Sequence, residues 1–329
     1  MKKKLLAVML IVVVCTGVLI KYMSELKTIT FFSMDTMMKV SLVGSNANLE
    51  FVKDETQRLD KIFNAYDKNS EIYELNTLGK KKVSKDMVQI LNKSVELSEE
   101  TNGSFDITLK NLKDLWDINS ENPRVPDDKK IKDALSKSGM ENLEINDDNV
   151  TLKHGIQLDF GAVAKGYLTD VVANALKDRG VKKFLLDFGG NIYAYSTNKP
   201  LKIGIQNPYS TRGDTVCVLQ VYDAAVVSSG VYERNFEIDG KVYHHILDPK
   251  NGYPAQSGIS QVTIIGKDAT MCDAYSTAIA VSGLELAKEL KQKNNEFEYI
   301  VVSENTIYVS ENILEKIIQI QDGFKVIKM

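Results

Sequence analysis

Three cysteines, three histidines, one tryptophan and six prolines are all that the 329 residues contain of these types. Cys15, Cys217 and Cys272 are too few for a disulfide framework or a cysteine-built zinc site. His154, His244 and His245 leave few candidates for imidazole chemistry. There is no excess of one charge either. Against 44 acidic residues stand 41 basic ones, a formal net charge of −3, so no nucleic-acid partner is expected. Apolar residues make up 43% and charged residues 26%. That balance excludes a disordered or collagen-like chain and provides a sizeable core.

The one long apolar run lies at the start. Lys2, Lys3 and Lys4 precede an uncharged stretch over 5–20. As a helix it would span about 24 Å, a little short of a bilayer core. The pattern predicts a signal or membrane-anchor segment over residues 1–24, with the body, 28–329, on the extracytoplasmic side of the cell membrane. Cys15 offers a lipoprotein option, but Val14 is bulkier than the small residue a lipobox places there. An uncleaved anchor or ordinary signal peptide is therefore the preferred reading.

No repeat, low-complexity tract or proline-rich linker interrupts the body. Residues 29–43 read as a strand interrupted at 33–35. Helical spacing follows over 48–64, and again after Ser84, a plausible N-cap with Met87, Ile90, Leu91 and Val95 on one face. A hairpin is expected over 142–159, a helix over 163–177, and then several short strands. One of these pairs turns at Asp239-Gly240. A strand over 260–266 leads into one long helix over 270–292, and a last hairpin covers 298–309. Strands in antiparallel runs with helices grouped beside them give an α+β fold.

Four segments carry more glycine, acid and polar residues than packing requires. In LDFGAVAKGYLTD (158–170) a turn enters a helix that carries Lys165, whose free N–H groups favour phosphate. The alternative is a glycine-rich helix start with Lys165 in solvent. In DFGGNIYAY (187–195) the glycine pair permits close approach of a ligand, or makes a bulge. In SSGVYERNFEIDGKVYHHILDPKNGYP (228–254) the adjacent His244 and His245 point to opposite faces, so one can line a cleft while the other packs. In DATMCDAYSTAIAVSG (268–283) Asp273 and Thr277 share a helix face with Ser276 beside them. Such oxygens suit Mg²⁺. The competing reading there is a capping box from Thr270 to Asp273, with Thr277 bonded to its own backbone.

Taken in order, these segments resemble the ApbE-type flavin transferases, the bacterial FAD:protein FMN transferases. The resemblance also covers MDTMMKV (34–40), AYDKNSEIYELN (65–76), FDITLKNLKDLWDI (105–118) and KIGIQNP (202–208). It implies a single T-fold-related catalytic unit. FAD would be the substrate, Mg²⁺ the cofactor, and the partner an acceptor flavoprotein with a Ser/Thr-containing flavinylation motif. It further implies that Asp273, Thr277 and the carbonyl of Ala162 hold the metal, with Ser276 close by. Met34, Tyr66, Trp116, Asp117, Ile118, Asp159, Lys165 and Leu247 would contact FAD. His245 would be the base and also touch the dinucleotide. Asp35 and Asn207 depart from the family's usual Gly and Asp. Two other readings use the same residues: an FAD pyrophosphatase giving FMN and AMP, and a non-enzymatic exported FAD-binding protein.

Overall fold

The computed structural model describes residues 25–329, so the expected signal or anchor over 1–24 lies outside the described residues. Among the described residues no helix is long and apolar enough to cross a membrane.

The chain starts as a hairpin, β1 (Leu26–Ser33) and β2 (Thr36–Val43), closed by Met34 and Asp35 at φ 47° and 57°. Positive φ at both turn residues matches the twist of the strands. Next come α1 (Asn46–Phe63), α2 (Glu71–Leu78), β3 (Lys80–Lys82) and α3 (Lys85–Glu100). Ser84 Oγ accepts from the Met87 amide at 3.3 Å, the N-cap read from sequence. Two short helices, α4 (Lys110–Trp116) and α5 (Asp128–Leu135), precede the hairpin β4 (Leu143–Asn146) and β5 (Asn149–Leu152). Then follow α6 (Ala164–Asp178), β6 (Lys183–Phe188), β7 (Asn191–Ser196), β8 (Leu201–Gln206), β9 (Thr215–Val221) and β10 (Asp223–Gly230). The hairpin β11 (Asn235–Ile238) and β12 (Lys241–His244) turns at Asp239-Gly240 as expected. The chain ends with β13 (Gln261–Gly266), α7 (Ala269–Ser282), α8 (Leu284–Lys293), β14 (Phe297–Ser303), β15 (Thr306–Val309), β16 (Ile317–Ile320) and β17 (Lys325–Lys328).

Two expectations need correction. The long helix over 270–292 is two helices, α7 and α8, broken at Gly283, whose φ of 88° and ψ of −173° suit only glycine. The second strand of the 142–159 hairpin stops at Leu152. Beyond it the Asn76 side chain bonds both backbone groups of Leu158, at 2.7 and 2.8 Å, in place of a ladder.

A nine-stranded sheet, ordered β1-β2-β6-β7-β10-β13-β14-β15-β17, forms the centre. Its pairs are antiparallel except β15 with β17. Successive residues serve different cores, as a period of two requires. Val227, Ile264 and Val301 join the main core with α1, α6 and α7. Val226, Ile265 and Ile300 join a second core under the sheet β8-β9-β16. With apolar residues on both faces, the sheet lies between helices and a smaller sheet, the mixed α+β architecture expected. A third cluster is local: Leu109, Leu112, Trp116, Ile131, Phe236 and Leu247 gather α4, α5 and the β11–β12 hairpin.

Candidate active site

A cavity of ≈ 490 Å³ opens between the α6–α7 side of the main core and the third cluster. Its volume suits a large small-molecule ligand. Met34 enters from the β1–β2 turn, Tyr66 from the loop after α1, and Trp116, Asp117 and Ile118 from the end of α4. Asp159, Ala162 and Lys165 come from the entry to α6, His245 and Leu247 from the segment after β12, and Asp273 and Thr277 from α7. All of these expected site residues line one cavity. Ser276 does not: its hydroxyl donates to the Asp273 carbonyl at 2.8 Å and lies 2.7 Å from Ser229 Oγ.

The two helices meet at Gly166. Its N–H donates to Asp273 Oδ2 at 2.9 Å. A Cβ there would sit 2.4 Å from the Ala269 carbonyl, so only glycine permits this approach. Asn191 Nδ2 donates to the other carboxylate oxygen at 3.3 Å. Asp273 thus does not cap its own helix; Asp268 does, accepting from the Met271 amide at 2.7 Å. The capping-box reading is set aside on that geometry. Thr277 Oγ1 faces Ser229 Oγ at 3.4 Å rather than its own backbone.

A metal fits this corner by the chemistry of its donors. Asp273 is 3% exposed, and its carboxylate meets two neutral donors, the Gly166 N–H and the Asn191 amide. The neighbouring Asn191 Oδ1 is buried with no hydrogen-bond partner. Among the described residues no group of three or more His, Cys, Asp or Glu could hold a metal. The expected donors at this corner, the Asp273 carboxylate, the Thr277 hydroxyl and the Ala162 carbonyl, are hard oxygens of the kind that would suit Mg²⁺.

The histidine pair divides its roles. His244 is buried and its Nε2–H donates to the Ala255 carbonyl at 2.8 Å. His245 lines the cavity, and its Nδ1 lies 3.2 Å from the Arg234 carbonyl. A carbonyl only accepts, so Nδ1 carries the proton and Nε2 keeps a lone pair. Desolvation, with Arg234 and Lys113 nearby, pushes the His245 pKa down to about 3. The ring is neutral at pH 7.

Sequence reasoning missed several lining residues: Lys113, Asn191, Ser229, Glu233 and Arg234. Lys113 forms an ion pair with Asp159. Burial raises the Asp159 pKa, but Lys113 and the Gly161 N–H together hold it below the ordinary value. A lysine on a short helix reads as solvated, so only the segments matched by resemblance hinted at these positions. Lys165 Nζ reaches back to the Gly161 carbonyl at 3.3 Å. Of the departures, Asp35 lines the cavity, and its carbonyl accepts from Arg234 at 3.5 Å. Asn207 lies outside it, bonded to Gln321 at 2.9 Å. Gly189, from the glycine pair, also lines the cavity at φ 65°, where a Cβ would meet Thr36 Oγ1 at 2.2 Å.

A sequence model of the ApbE family matches residues 34–301, most of the body. The chain belongs to the ApbE family. An FAD:protein FMN transferase of Treponema pallidum is 33% identical over 222 residues, 62% of this chain and 61% of that protein. One of Klebsiella pneumoniae is 30% identical over 226 residues, 68% and 71% of the two chains. A crystal structure of the ApbE protein of Thermotoga maritima superposes with a TM-score of 0.82 at 29% identity, covering 89% of this chain and 99% of that one. As an ApbE protein the chain is a transferase, and its class of activity is flavin transfer.

Proposed function

We propose that this ApbE protein transfers FMN from FAD to a Ser or Thr hydroxyl of an acceptor flavoprotein, in a Mg²⁺-dependent reaction that releases AMP. The observation that carries this reading is one cavity holding His245, with a free Nε2 lone pair, together with the Asp273–Thr277 corner. The acceptor hydroxyl attacks the FMN-side phosphorus. The bond from that phosphorus to the bridging oxygen breaks, and AMP leaves with that oxygen. His245 Nε2 takes the hydroxyl proton, a role that a neutral ring can fill. Asp273, Thr277 and the Ala162 carbonyl would hold Mg²⁺, which when bound would neutralise diphosphate charge and orient the bond.

The cavity's own charge supports a cation requirement. Asp35, Asp60, Asp106, Asp114, Asp117, Asp159, Glu233 and Asp273 line it, against Lys113, Lys165 and Arg234. An anionic dinucleotide entering such a field needs added positive charge. Lys165 and the start of α6 support charge on the phosphates. Met34, Tyr66, Trp116, Asp117, Ile118, Asp159 and Leu247 would bind the flavin and adenine portions. Tyr66 offers the open ring, at 57% exposure, whereas Trp116 is 1% exposed and shapes the wall. The apolar run behind Lys2–Lys4 supports a membrane location, with the catalytic body on the outer face.

Incubation with FAD, Mg²⁺ and an acceptor carrying a Ser/Thr motif, followed by intact mass spectrometry, tests the reading. The expected result is an acceptor heavier by one FMN moiety, with AMP released and the gain abolished by EDTA. FMN and AMP appearing with no mass gain would make the protein a pyrophosphatase. FAD that stays intact would make it a binding protein.

A further inference from the structure

We propose that Asp170 is a positioning residue for the cation site, clamping α7 onto α6 so that Asp273 and Thr277 face Ala162. The inference rests on the Mg²⁺ reading above. Two carboxylates serve the N-terminus of α7. Asp268 is the helix's own cap and accepts from the Met271 amide at 2.7 Å. Asp170 comes from α6. Its Oδ1 accepts from the Ala269 amide at 2.8 Å, and its Oδ2 accepts from the Thr270 amide at 2.8 Å and the Thr270 hydroxyl at 2.6 Å.

Asp268 takes one of the free amides at this helix start, and Asp170 takes two others from a different helix. Asp170 stands within electrostatic reach of Asp268, a like charge that disfavours the arrangement. What Asp170 adds is a tie between two helices. Gly166 lies four residues earlier on the same face of α6 and donates to Asp273 Oδ2 at 2.9 Å. A Cβ on Gly166 would stand 2.8 Å from Thr270 Cα and 2.8 Å from Asp273 Cβ. The helices are therefore fixed at two points one turn apart. The first point is the carboxylate of Asp273 itself. The second, Asp170, sets the rotation and height of α7 about the first. Ala162 lies just before α6, so this clamp governs the spacing of all three proposed metal oxygens while Asp170 touches none of them. Groups that hydrogen-bond a metal ligand typically change metal affinity by roughly 10–100-fold when replaced; Asp170 bonds the helix behind the ligands, so the low end of that range is expected.

The test compares full-length wild type with Asp170→Asn and Asp268→Ala. Mn²⁺ binding is followed by the EPR signal of the free ion, and the Mg²⁺ dependence of FMN transfer is followed by mass. Asp170→Asn should weaken Mn²⁺ binding by about 10-fold and shift half-saturation by Mg²⁺ to the same extent. The KM for FAD at saturating Mg²⁺ should stay near wild type. Asp268→Ala should lower the melting temperature but leave Mn²⁺ binding unchanged. Should Asp170→Asn fail to fold, Thr270→Ala removes only one of the three bonds and should show a smaller shift in the same direction. Unchanged metal binding in a folded Asp170→Asn protein, or an equal loss in Asp268→Ala, overturns the clamp. Wild type that neither binds Mn²⁺ nor requires Mg²⁺ overturns the cation reading and the clamp with it.

Discussion

The cavity has two unlike walls. One is built from α6, α7 and the central sheet, where Asp273 and Asn191 are 3% and 1% exposed. Its polar groups are tied across long stretches of sequence, Gly166 to Asp273 and Asp170 to Thr270. The other wall is the local cluster of α4, α5 and the β11–β12 hairpin. Trp116 donates to the Gly252 carbonyl at 2.8 Å and packs against Tyr243, which stacks on Phe236 with centroids 5.3 Å apart. The first wall fixes its polar groups through these long-range bonds, as preorganised charge stabilisation requires. The second presents Leu109, Trp116, Ile118 and Leu247 to the cavity with the aromatic stack packed behind them, an apolar face suited to a large ligand. Substitutions in the first wall should therefore cost rate, and substitutions in the second should cost binding.

The largest effect should come from Asp273→Ala. Losing the proposed cation site removes several kcal/mol of transition-state stabilisation, on the order of 10³-fold or more in acceptor flavinylation measured by AMP release. Full Mg²⁺-dependent activity in that variant would remove the distinction between the walls. His245→Ala should lower kcat by ~10²–10⁴-fold with little change in the KM for FAD. Trp116→Ala should act in the opposite sense. It should raise the KM for FAD more than it lowers kcat, and destabilise the fold by ~3–5 kcal/mol in a denaturant titration. A kcat loss as large as that of His245→Ala would show that the aromatic wall also aligns the chemistry.

The smallest effect concerns pH. The His245 pKa falls from its ordinary 6.5 to about 3 in the fold. The unfolded chain therefore binds a proton that the native state refuses between those values. The contribution of this group to stability is complete above about pH 6.5 and declines as pH falls toward 3. His245→Gln should flatten that part of the curve of melting temperature against pH. By the same shift, the rate profile should show no limb from this ring near pH 6.5.

Much of this was legible in the sequence because it is encoded locally. Ser84 capping α3 and Asp239-Gly240 turning a hairpin are short-range chemistry, and both hold. The break at Gly283 was hidden because α7 is buried almost all round, so no periodic polar face marks its end. The irregular path over 153–159 depends on Asn76, 82 residues distant from Leu158, and no window of sequence reports such a bond. In the site, acids and histidines beside glycine turns stood out. Lys113 did not, because its ion pair with Asp159 exists only once α4 is folded against the loop before α6. The parallel pairing of β15 with β17 was equally silent, since strand order is a property of the assembled sheet.

The partner that sets the His245 tautomer is the main-chain oxygen at position 234. No side-chain replacement deletes a peptide carbonyl. The imidazole's orientation is thereby insulated from substitution at position 234, whereas its acidity is not, because the Arg234 side chain is one of the charges that lower it.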